Sequence, residues 1–70
     1  MKEKDRKQLY SACNKAILQH CKANNIKLKD VECTIKGDNL PVMVYTYKGK
    51  EIMIGKIVDE PKIKIKKYKP

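Results

Sequence analysis

The side chains best equipped to do chemistry stand near the end of the chain, in "KIKIKKYKP": Lys62, Lys64 and Lys66 at every second position, then Tyr68. Ammonium groups neutralise phosphates and a tyrosine ring offers a plane on which a base can stack. These are the two ingredients of sequence-tolerant single-strand binding. Tyr45 is a further stacking candidate if it shares their surface. Of the 17 basic residues only Arg6 is arginine. Bidentate reading of guanine or phosphate is mainly an arginine task, so base-specific recognition is disfavoured. The formal charge of +9 favours anionic partners in general.

Other reactive residues lack a workable pattern. Cys13, His20, Cys21 and Cys33 are potential zinc ligands, but no C-x-x-C pair occurs. On a helix Cys13 and His20 would be separated by about 10.5 Å of rise, too far for one tetrahedral ion. A Cys/His nucleophile fails similarly, with no motif to supply an orienting acid or an oxyanion hole. Gly37, Gly49 and Gly55 are too scattered for a phosphate loop. No metal or cofactor and no enzymatic activity are expected.

Seventy residues make one small domain, 1–70, with a core that must be economical. Leu, Ile and Val supply 16 residues, enough to keep the chain out of the disordered class, and Trp and Phe are absent. "MKEKDRKQLY" carries no apolar run behind its charges, and no stretch is apolar enough to span a bilayer. The expectation is a cytoplasmic protein with no membrane partner. Three cysteines without framework spacing agree with a reducing compartment.

The elements that must position the lysines follow from periodicity. Leu9, Cys13, Ala16, Ile17 and Cys21 form one stripe of an amphipathic helix over about 5–24. Asp5 with Gln8 resembles a capping box, and Asn24-Asn25 offers a residue tolerant of the left-handed conformation that ends helices. The period then changes to two. Strands are predicted over about 31–36, 42–47, 51–58 and 62–68, with turns at Gly37, Asp38, Asn39 and Pro41, at Tyr47-Lys48-Gly49, and at Pro61. Short connections favour an antiparallel meander. The fold class is α+β, one N-terminal helix packed on one face of a three- or four-stranded antiparallel meander sheet.

The second turn sets the faces. A three-residue loop with Gly49 alone left-handed, followed by a bulge, spares Lys48 a positive φ. That register sets Val42 and Val44 opposite Ile54 and Ile52 on one face, with Met43 and Tyr45 beside Met53 and Glu51 on the other. If the helix covers the Val/Ile face, Val31, Cys33, Ile35, Ile63 and Ile65 join it. Lys62, Lys64, Lys66 and Tyr68 then face outward with Met43, Tyr45, Met53 and Ile57.

Two readings follow. In the first, the chain is a non-enzymatic basic module that binds nucleic acid with low sequence specificity through Lys62, Lys64, Lys66, Tyr68 and Tyr45. In the second it is a protein-interaction module, as homodimer, adaptor or small inhibitor of a partner. That module uses Met43, Tyr45, Met53 and Ile57, or pairs its closing strand with a foreign sheet edge.

Overall fold

The computed structural model describes residues 3–37, 40–59 and 62–69. The turn residues Asp38, Asn39 and Pro61 lie outside them. A helix, α1 (Glu3–Ala23), is followed by a short 3-10 turn at Leu28–Asp30 and four strands: β1 (Val31–Lys36), β2 (Val42–Tyr47), β3 (Lys50–Asp59) and β4 (Lys62–Lys67). The strands form one open antiparallel sheet in the order β1-β2-β3-β4. This is the α+β meander that the short connections imply.

The buried residues of α1 are the five of the apolar stripe: Leu9, Cys13, Ala16, Ile17 and Cys21. The helix opens at Glu3, so Asp5 sits inside its first turn rather than capping it, where a carboxylate still favours the helix dipole. It ends through Asn25 at φ 59°, with the Ile26 N–H donating to the Cys21 carbonyl at 2.8 Å and the Asn25 N–H to Lys22 at 3.5 Å. These bonds satisfy carbonyls that the last turn would otherwise leave open. Ile26 then packs against the core close to that terminus.

The hairpin between β2 and β3 departs from expectation. Its loop is the two-residue Lys48-Gly49 turn, with both residues at positive φ, 51° and 80°, and Tyr47 paired with Lys50. Such a turn matches the right-handed twist of the flanking strands. It outweighs a cost of roughly 1–2 kcal/mol for Lys48 in the left-handed region. Lys48 Nζ also lies 5.4 Å from the Tyr47 ring centroid, a contact that offsets part of that cost.

A bulge follows, because Thr46 pairs with Glu51 while Tyr45 pairs with Met53. Ile52 is the extra residue. Ile52 and Met53 are both fully buried in the same cluster, so two successive side chains turn toward the helix.

The bulge leaves Val42, Val44 and Ile54 on one face and Met43, Tyr45 and Met53 on the other, as the alternation predicts. The helix covers the opposite face to the one expected. Met43, Tyr45, Ile52, Met53 and Ile57 form the core with the stripe of α1, and Ile63 and Ile65 pack against it. Pairing explains the inversion. Cys33 stands opposite Tyr45, Ile35 opposite Met43, Ile65 opposite Gly55 and Ile63 opposite Ile57. The apolar halves of both outer strands are therefore in register with the Met/Tyr side of β2 and β3.

Packing agrees. A helix stripe of small residues, Cys13, Ala16 and Cys21, leaves room for large sheet residues such as Met43, Tyr45 and Met53. At Gly55 the layers approach closely, since a β-carbon there would overlap the Cys13 sulfur.

Candidate functional site

α1 lies over β3 and β4, and the opposite side of the sheet carries no second layer among the described residues. Strand pairing sets two rows of side chains across this outer face. One runs Lys36, Val42, Lys56, Lys64, and the next runs Thr34, Val44, Ile54, Lys66. Val44 is only 6 % exposed although it lies outside the cluster that packs on the helix. Ile54, Lys56, Lys64, Lys66 and Tyr68 line a shallow concavity of about 180 Å³. Its floor is apolar and its wall is cationic.

Three of the five residues named from sequence are together here or beside it: Lys64 and Lys66 in the concavity, with Tyr68 closing it. Lys62, at the start of β4, is exposed on the same alternation. The isoleucines of β4 point inward as their spacing implies. Tyr45 is corrected. It is 4 % exposed beneath the helix, with its phenol oxygen buried and free of any hydrogen-bond partner among the described residues. Burial first, then the neighbouring Cys33 and Cys13 thiols, hold that phenol protonated well above its ordinary range. No base can stack on it.

The surface assigned to protein contacts is corrected for the same reason. Met43, Tyr45, Met53 and Ile57 are all core residues.

Lys56 is the residue that sequence reasoning missed. It stands directly opposite Lys64, a like-charge cross-strand pair, an arrangement that destabilises a sheet by roughly 0.2–1 kcal/mol. Among the described residues no salt bridge relieves it. The sole salt bridge among the described residues joins Lys7 to Glu3 at 4.0 Å on the exposed side of α1. Lys36, at the far end of the same row, also goes unassigned from sequence. The signal for both was parity: Lys56 shares the alternation of Ile54, and only the face given to Ile54 was wrong.

Tyr68 is fixed through its backbone. Its N–H donates to the Ile52 carbonyl at 2.8 Å, extending the β3/β4 ladder by one residue. Its carbonyl accepts from His20 Nε2 at 2.8 Å. Asn24 Nδ2 lies 3.2 Å from His20 Nδ1 and 2.9 Å from the His20 carbonyl oxygen, to which it donates. The network is consistent with the proton on Nε2 and Nδ1 accepting. Strand and helix thus hold both sides of the Tyr68 peptide, while Lys66 Nζ sits 5.7 Å from its ring centroid. The end of "KIKIKKY" is a clasped segment of sheet.

The thiols divide by environment. Cys13 and Cys21 are buried and Cys33 is exposed. Burial raises both buried thiols, with Cys33 adding to the shift at Cys13. Among the described residues no group of three or more His, Cys, Asp or Glu side chains gathers where it could hold a metal ion. No helix there is long and apolar enough to cross a membrane.

Comparison with protein-family models, with curated proteins and with solved structures finds no match for this chain.

Proposed function

We propose that this protein is a small, non-catalytic module that binds nucleic acid with low sequence specificity through its outer sheet face. Lys56, Lys64 and Lys66 neutralise successive phosphates, with Lys62 and Lys36 at the margins. Tyr68 and the Ile54 floor receive an unstacked base. The observation that carries this reading is the Lys56–Lys64 pair, two ammonium groups set opposite each other beside a third and a tyrosine, with no salt bridge to any of them among the described residues. A phosphate chain removes the repulsion that the fold itself leaves standing. Lysine supplies point charges without a bidentate fork, so contact with the backbone dominates over base reading.

Fluorescence anisotropy with labelled single-stranded oligonucleotides of different sequence tests this. Three phosphate contacts give a log–log salt slope of roughly −2, which is a fall of about twentyfold between about 50 and about 200 mM salt. K56E and K64E each weaken binding at least tenfold, while K15E and K22E on the exposed side of the helix change it little. Equal losses at all four positions, or salt-independent binding, overturn the assignment.

A further inference from the structure

β1 is an edge strand, and Glu32–Lys36 are all exposed. The helix does not reach over it. On the helix side, Ile17, Leu18, Leu28, Val31, Cys33 and Tyr45 line an open groove of about 420 Å³. Leu18, Leu28 and the nearby Ile35 are conspicuously open to solvent, Ile35 at 55 %. On the outer side β1 presents Glu32, Thr34 and Lys36, whose partners across β2 are the uncharged Thr46, Val44 and Val42. Neither charge has a mate directly across its own sheet.

We infer that β1 pairs with β1 of a second copy of this chain, antiparallel about a two-fold axis through Thr34. Hydrogen-bond direction permits it. In a two-residue hairpin the flanking pair, Tyr47 and Lys50, exchanges backbone bonds. Alternation along β2 then turns Thr46, Val44 and Val42 toward β1, and Val31, Cys33 and Ile35 turn their own N–H and C=O groups to the open edge. With Thr34 on the axis, Cys33 meets Ile35 of the other copy at two places, for about four backbone bonds, while Gly37 at φ 97° turns out of the strand.

Side chains match in the same register. Glu32 stands opposite Lys36 of the other copy at two places, and Thr34 meets Thr34, both favourable cross-strand pairs. Ile35 arrives beside Cys33, at the rim of the apolar groove, and covers it. Edge strands are commonly guarded by charge. Here the guard repels foreign edges but is complementary to itself. The product is an eight-stranded sheet with both helices on one side and both lysine faces on the other. This inference stands independently of what the lysine face binds.

Sedimentation equilibrium of the whole protein over about 1–500 µM, followed by charge exchange, tests it. The wild type moves from 8.1 kDa toward twice that mass as concentration rises. E32K or K36E alone places like charges opposite each other twice and weakens association at least tenfold. T34K, which sets two ammonium groups together on the axis, does the same. The E32K/K36E double variant returns association to within about threefold of wild type. Because all three positions are exposed and face uncharged residues across β2, thermal melts of the variants at dilute, monomeric concentration stay close to wild type. A monomer at every concentration overturns the inference. So does a dimer that ignores T34K, or one that the double exchange fails to restore.

Discussion

Replacing Lys56 by glutamate should make the protein more stable and less able to bind nucleic acid. The wild-type fold opposes Lys56 to Lys64 directly across β3 and β4, with Lys66 diagonal to it and no salt bridge to either among the described residues. A like-charge cross-strand pair costs up to about 1 kcal/mol and an opposite-charge pair contributes a similar amount, so reversal is a swing of roughly 1–2 kcal/mol. In a domain of this size about 1 kcal/mol moves the melting temperature by roughly 4–8 °C. Far-UV circular dichroism in low salt should therefore show K56E melting several degrees above wild type. In 1 M salt the Debye length is near 3 Å and most of the difference should vanish. Wild type should itself gain stability on addition of a single-stranded oligonucleotide, which K56E should not. If K56E melts lower than wild type in low salt, or if its advantage persists unscreened, the lysines are not in electrostatic conflict. The reason for treating that face as a binding site then disappears.

Gly55→Ala should destabilise by about 1–3 kcal/mol, because the new methyl overlaps the Cys13 sulfur; chemical denaturation should show much of the loss returned in the Gly55→Ala/Cys13→Ala double variant. His20→Ala removes the donor to the Tyr68 carbonyl, so the amide of Tyr68 should exchange with solvent at least fivefold faster while that of Ile54 stays protected. Iodoacetamide at neutral pH should label Cys33 and spare Cys13 and Cys21, whose burial raises their thiols above the ordinary 9.0. Tyr45 contributes stability that is fully present below the ordinary tyrosine value of 10.0. Ionisation in the unfolded chain erodes it as pH rises beyond that, so alkaline melts should fall while Tyr45→Phe flattens the decline.

The opening helix and the closing strand were legible because each has one apolar alternation and one polar, whereas β1, which the helix does not cover, leaves Cys33 and Ile35 exposed despite the same pattern. Leu9 through Cys21 could lie only inward, and Ile63 and Ile65 could not share a face with Lys62, Lys64 and Lys66. β2 and β3 offered no such contrast. In "VMVYTY" and "EIMI" both alternations are largely apolar, so patterning does not say which side meets the helix. Preferring β-branched residues for the interior gave the wrong side, since volume against a small-residue helix decided it. Tyr45 left the candidate site and Lys56 entered it for that single reason. Lys62, Lys64, Lys66 and Tyr68 kept their places because the orientation of β4 depends on its own alternation.

A sheet of this kind has something like a reading frame, and its frameshift sits at Ile52. Were β3 to run on from the hairpin with Ile52 paired in plain alternation instead of bulged, Tyr45 would face Ile52 and Met43 would face Ile54. Lys56 would be driven under the helix and Gly55 out into solvent. Insertions and deletions come only in whole residues, so no partial version exists. One unpaired unit of chain decides which side of the molecule is oily and which is cationic: drawing it into the ladder would scramble both at once, whereas deleting Ile52 leaves every other pair in place.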